Sequence, residues 1–227
     1  MQNYRVKLES AVSETFRCQK AANSLDIDAK KKSTHELSVN CDLETPYNLG
    51  VIVGSSGSGK TTLAREIYGS NCFDFAIDEK LAVIDQFPSD MSYDQCAEML
   101  SGIGLTSVPC WIRPVYTLSN GQRARAIAAL QMARSETFVI DEWTSVVDRT
   151  VAKAMSNCLQ KFVRKQNKRV TVLSCHYDVL DWLNADWVID CNQQTFTDRR
   201  LLWRDYKRPE TLTFDIRPVK RNTWKYF

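Results

Sequence analysis

Eight consecutive residues constrain the fold of this chain more than any other stretch: Gly54-Ser55-Ser56-Gly57-Ser58-Gly59-Lys60-Thr61. They satisfy G-x-x-x-x-G-K-[ST] at every position. Glycines let the backbone curl until successive N–H groups point inward, and such a concavity cradles phosphate oxygens. The turn works only between a buried strand and a helix, because the helix start adds its positive dipole end. Both flanks are present. YNLGVIV, residues 47–53, is a short apolar run suited to a buried strand, and residues 61–68 read as helical. Residues 54–59 and Thr62 would complete a cradle in which Lys60 reaches the β- and γ-phosphates and the Thr61 hydroxyl ligates Mg²⁺.

A phosphate site of this kind needs an acidic partner at the end of a neighbouring strand. Phe138-Val139-Ile140-Asp141-Glu142 provides one. Asp141 would hold the metal, and Glu142, one residue further, could polarise an attacking water. An Asp-Glu pair after an apolar strand is by itself an ordinary solvated strand end; the phosphate loop gives it another meaning.

The remaining chain alternates helices with short apolar strands, the pattern of a parallel α/β sheet. Strands are expected at residues 81–84, 138–141, 170–173 and 187–190, and helices at 92–101, 151–165 and from 178 to 183. Ser92 is the expected N-cap of the first of these helices, with Gly102 beyond its end. Residues 102–114, GIGLTSVPCWIRP, read as a loop punctuated by Gly and Pro. Before the phosphate loop, SETFRCQKA (13–21) and HELSVNCDL (35–43) alternate and flank a solvated linker, DAKKKST, so residues 1–48 are expected to form antiparallel β-structure.

The stretch 118–148, LSNGQRARAIAALQMARSETFVIDEWTSVVD, brings a family into view. LSNGQ resembles the LSGGQ signature of ABC-type ATPases, with Asn120 in place of the usual glycine. Gln86, 32 residues after Gly54, sits where that family's Q-loop glutamine lies. Asp141 and Glu142 match its Walker B aspartate and catalytic glutamate, and Ser145-Val146-Val147-Asp148 resembles its D-loop. His176, 34 residues after Glu142, matches the switch histidine. The other histidine, His35, is expected in a polar turn and carries no such reading.

The resemblance implies an ABC-type ATPase core over residues 49–198, with a short helical arm at about 89–117. It implies ATP and Mg²⁺ as ligands, hydrolysis aided by Glu142, His176 and Gln86, and Thr61, Gln86 and Asp141 around the metal. It also implies a head-to-tail homodimer, with Ser119 and the Gly121 N–H meeting the γ-phosphate of the partner's ATP and Asp148 at the seam. An aromatic residue of the N-terminal β-region should stack on adenine; Phe16 is the first candidate and Tyr47 the second. Asparagine tolerates unusual backbone angles, so the signature turn is expected to survive Asn120.

A narrower likeness concerns the partner. Residues 107–122, 141–154 and 175–190 resemble a bacterial and phage group of ABC-type ATPases that often work with, or are fused to, a GNAT-type acetyltransferase. No acetyltransferase sequence is present in residues 1–227, so that activity is not assigned to them; a separate polypeptide could carry it. Residues 199–227 hold nine Lys/Arg against three Asp/Glu, while the whole chain carries only +3. Such a basic tail could meet nucleic acid or dock an acidic partner. No apolar run approaches the roughly 18 residues that would span a bilayer. The eight cysteines lack metal-ligand spacing and read as reduced, partly buried thiols. The expectation is a cytoplasmic ATPase driving a partner in nucleic-acid modification, defence or repair. The alternatives are a slow ATP-dependent nucleic-acid switch and a transporter's nucleotide-binding subunit. The 32 residues from Gln86 to Leu118 look short for gripping a membrane partner.

Overall fold

The computed structural model describes residues 2–10, 15–24 and 33–200. In chain order, β1 (Gln2–Ser10), α1 (Phe16–Ser24) and β2 (Ser33–Cys41) precede the central strand β3 (Leu49–Val53) and helix α2 (Lys60–Tyr68). The arm follows with α3 (Tyr93–Gly102) and α4 (Val108–Trp111). Then come α5 (Asn120–Arg134), β4 (Thr137–Ile140), α6 (Arg149–Lys165), β5 (Arg169–Ser174), α7 (Val179–Leu183), β6 (Trp187–Asp190) and β7 (Thr195–Asp198).

Five strands form one sheet in the order β4-β5-β3-β6-β7, parallel except for the β6–β7 pair. All five residues of β3 are buried, as a strand covered on both faces must be. Its central place puts the phosphate loop, β4's carboxylates and the end of β5 at one edge of the sheet, beyond the strands' carboxyl ends. One apolar cluster joins β3 to the arm and to α5 and α6, through Leu100, Leu130, Met132, Leu159 and Phe162. A second lies under the β1–β2 pair and α2, through Val6, Leu37, Val39, Leu63 and Trp187. Gly50 is required where the second cluster crosses β3, because a Cβ there would sit 2.0 Å from the Trp187 ring.

The expected antiparallel pair at the N-terminus exists: β1 and β2 pair along nine residues each, and Leu37, Val39 and Cys41 alternate inward. Four expectations fail on particulars. The segment 13–21 is helical from Phe16 onward, not a strand. It lacks β-branched residues after Thr15 and is rich in Arg, Gln, Lys and Ala, which favour helix. Residues 81–84 make only an isolated bridge, Ala82 with Pro114, followed by a 3₁₀ turn at Ile84–Gln86. There the Gln86 amide satisfies carbonyls of the segment itself, so the backbone curls instead of joining β4, which remains an edge strand. The loop 102–114 also contains α4, which starts with Pro109 in its first turn. His35 belongs to β2, opposite Leu8, not to a turn. Residues 201–227, most of the basic tail, lie outside the described residues.

Candidate active site

Left-handed backbone at Gly57 (φ 79°) and Gly59 (φ 92°) turns the chain from β3 into α2, a conformation that glycine adopts without strain. At Gly54 the constraint is space: a Cβ would lie 2.4 Å from Ser58 Oγ. Lys60 folds its ammonium back across the loop, donating to the carbonyls of Gly54 at 2.8 Å and Ser55 at 2.7 Å. These are bonds that a phosphate group can replace. The Ser58 hydroxyl is buried without a hydrogen-bond partner, which suits a cradle made to be filled. Behind it, burial pushes the Cys191 thiol up to about 12, so it serves as an unreactive apolar wall.

The Thr61 hydroxyl donates to Asp141 Oδ2 at 3.0 Å. A hydroxyl and a carboxylate oxygen facing each other beside the phosphate loop are the oxygen donors that Mg²⁺ takes, so these residues fit the ion. Asp141 Oδ1 accepts the N–H of Glu142 at 2.8 Å, and the Glu142 side chain is exposed. Glu142 (φ 51°) and Thr144 (φ 70°) both hold left-handed backbone, which costs non-glycine residues about 1–3 kcal/mol each. Trp143 between them pins the turn. It is fully buried, its indole donates to Ser156 Oγ at 2.9 Å, and its N–H donates to the Leu173 carbonyl at 2.9 Å. The strained loop is therefore fixed to α6 and β5 by a residue whose role no motif signalled.

Ser119 caps α5: its Oγ accepts the Gln122 N–H while the Gln122 side chain accepts the Ser119 N–H. The hydroxyl proton stays available for an external acceptor. Asn120 takes ordinary helical backbone, so the departure from glycine strains nothing. Asp148 likewise caps α6, accepting the Val151 N–H at 3.0 Å. The two caps meet, since a Cβ on Gly121 would lie 2.5 Å from the Val147 side chain. Ser119, Gly121, Val147 and Asp148 share a cavity of about 390 Å³ that includes no residue of the phosphate loop.

Three candidate residues stand apart. Gln86 is buried, and its amide bonds to the carbonyl and the N–H of Asp78, both at 2.9 Å, so its side chain points into the 78–82 turn and not at Thr61 or Asp141. Phe16 opens α1 with 79% of its surface exposed. Tyr47 is buried against Trp187, and its hydroxyl contacts that of Tyr68 at 3.0 Å, which makes it core rather than an adenine platform. His176 follows β5 as expected, half-buried, with its N–H on Ser174 Oγ at 3.1 Å. Sequence reasoning passed over Asn192, which follows β6 and whose Oδ1 accepts from the Ser55 hydroxyl at 2.9 Å. No motif marks it; only the neighbourhood of β3 and β6 does.

No family model matches the chain. It is 26% identical over 210 residues to the energy-coupling factor transporter ATP-binding protein EcfA1 of Leuconostoc mesenteroides, covering 74% of this chain and 77% of that protein. Among solved structures, the ATP-binding cassette MJ0796, dimeric in a post-hydrolysis state with ADP and Pi, superposes with a TM-score of 0.55 at 15% identity. That match covers 85% of this chain and 98% of the other. CbiO1 of Clostridium perfringens, part of the ABC transporter complex cbiONQ, gives a TM-score of 0.53 at 14% identity, over 74% and 83% of the two chains. The fold is that of an ABC-type ATPase. With the complete phosphate loop and the Asp141–Glu142 pair, it indicates a chain that binds ATP with Mg²⁺ and hydrolyses the ATP.

Proposed function

We propose that this chain is the ATP-hydrolysing cassette of a two-cassette machine that passes its closing motion to a membrane-embedded transport partner. The cycle needs two half-sites. Lys60 and residues 54–62 hold one nucleotide, while Ser119, Gly121 and Asp148 face the nucleotide of a second cassette. In that arrangement the Gly121 N–H, at the start of α5, and the Ser119 hydroxyl donate toward a γ-phosphate. Glu142 accepts the proton of the attacking water. Mg²⁺ on Thr61 and Asp141 neutralises charge on the phosphates when bound.

The observation favouring a transport partner is a cleft of about 600 Å³ beside the Gln86 turn, lined by Ile77, Asp78, Glu79, Leu81, Gln86 and Arg134. Leu81 is exposed at its rim, and Val108, Ile112 and Tyr116 are exposed on the arm. Large apolar residues standing together in solvent mark a contact surface. The bonds from Arg134 to the Gln86 carbonyl (2.5 Å) and from Gln86 to Asp78 join that cleft to α5, whose N-terminus carries the signature. A push at the cleft is thus carried along one helix to the nucleotide seam. The similarity to EcfA1 and CbiO1, both components of transporters by name, supports the same reading. Among the described residues no helix is long and apolar enough to cross a membrane.

The short arm argues against this reading on sequence grounds, but the cleft and the transporter relatives favour it over nucleic-acid or acetyltransferase partners. The nucleic-acid reading rests on the basic tail, most of which lies outside the described residues. The test is reconstitution with membranes from cells expressing the neighbouring genes. ATP turnover should rise in their presence, and Ile112→Asp with Tyr116→Asp should abolish the rise while leaving the turnover of the isolated chain intact. Stimulation by DNA, RNA or an acetyltransferase in place of membranes would return the reading to a soluble partner.

A further inference from the structure

The turn after β6 touches the phosphate loop from outside. Asn192 Oδ1 accepts from the Ser55 hydroxyl at 2.9 Å and the Ser55 N–H at 3.3 Å. Its Nδ2 donates to the Tyr177 hydroxyl oxygen at 3.1 Å, and the Tyr177 hydroxyl donates to Asp190 Oδ1 at 3.0 Å. The same carboxylate oxygen accepts the N–H groups of Asn192 and Gln193, at 2.8 and 3.1 Å. Tyr177 directly follows His176.

The polarity of this chain of bonds is fully determined. A carboxylate only accepts, so the one phenolic proton goes to Asp190, and the Tyr177 oxygen must accept from Asn192. The Asn192 amide is then oriented with its carbonyl toward Ser55. Burial and the facing Asp190 carboxylate hold the Tyr177 phenol above its ordinary value, so it remains a donor at neutral pH.

We propose that Tyr177 and Asn192 are positioning residues, forming a hydrogen-bonded strut that couples the segment carrying His176 to the outer shoulder of the phosphate loop. The Ser55 carbonyl is held by Lys60 (2.7 Å) and by the Ser58 N–H (3.2 Å). When Lys60 turns to a phosphate, Asn192 is the side chain left holding Ser55. A shift of the loop on nucleotide loading is then passed through Asn192 and Tyr177 to the residue beside His176, and a shift of His176 is passed back. The strut rests on the ATPase reading of the site and adds to it a link between two loops.

The test uses the full chain, with ATP turnover, affinity for a fluorescent ADP analogue and melting temperature measured in parallel. Tyr177→Phe deletes one hydroxyl and should lower kcat about fivefold, a coupling of the size found for residues sharing a network. Its ADP affinity and melting temperature should stay at wild-type values. Asn192→Ala removes the grip on Ser55 as well, so it should lose about fivefold in ADP affinity in addition to kcat. Tyr177→Phe added to Asn192→Ala should lower kcat no further. Multiplicative losses in the double variant would overturn the strut, as would wild-type turnover in Tyr177→Phe or a loss that tracks a lower melting temperature. A wild-type chain that binds ADP but never hydrolyses ATP would instead overturn the ATPase reading. The ADP affinity of Asn192→Ala would then still decide whether Asn192 clamps the loop.

Discussion

The two half-sites solve different problems with the same kinds of residue. Around the phosphate loop, polar groups are paired with one another: Lys60 with Gly54 and Ser55, and Thr61 with Asp141. Each bond is one a nucleotide or Mg²⁺ can take over, so this half is complete within a single chain. At the signature, Ser119 and Asp148 are engaged as helix caps, and the cavity between them contains no phosphate-loop residue. That half has the geometry to bind but nothing in its own chain to bind to. The contrast explains why one region reads as a pocket and the other as a face, and it is what the proposed two-cassette unit requires.

The sharpest way to separate the halves is Glu142→Gln. Turnover should fall by about 10²–10⁴, the range for a lost general base, while ATP affinity is kept and a dimer accumulates on a sizing column in ATP. An unchanged hydrolysis rate would remove Glu142 from the mechanism. Lys60→Ala should weaken ATP by about tenfold to a hundredfold through the loss of a charge-assisted contact, measured by nucleotide titration. Ser119→Ala should leave nucleotide binding to the isolated chain unchanged and lower turnover only where a dimer forms. Mixed with Lys60→Ala, it should yield heterodimers with one competent site; heterodimers with no competent site would contradict the assignment in trans. The smallest effect is structural. Asp148→Ala should cost about 1 kcal/mol through the lost cap of α6, a drop of roughly 2–4 °C in melting temperature, with ATP affinity unaffected.

The loop between the halves is where a residue outside every motif matters most. Trp143 is fully buried between two left-handed residues and bonded to α6 and β5. Arg149 at the start of α6 pairs with Asp178 and stacks 5.0 Å from the Trp182 ring. The D-loop is thereby tied to the segment just past His176. The Asp148 turn is thus linked to the segment just past His176 by side chains, not by the sheet alone.

Much of this protein was legible in the sequence, because its site depends on local rules. Glycine spacing dictated the phosphate loop, an apolar run ending in two carboxylates dictated β4 and Asp141–Glu142, and the Ser119 and Asp148 caps follow from residue type at a helix start. Tertiary structure decided what depended on which partner was present. Residues 81–84 have the composition of a strand, but the Gln86 amide took the carbonyls that a neighbouring strand would have used. The same bonds turned Gln86 away from the Thr61–Asp141 pair, which spacing alone could not show. Tyr47 had the chemistry of a stacking platform, yet Trp187 and Tyr68 drew it into the core. Asn192 and Tyr177, 15 residues apart in the chain, follow β6 and β5, the two strands that flank β3, and meet across its end. Sequence sets the conformations and chemistry available to each residue; which groups finally satisfy one another is decided by distance in space.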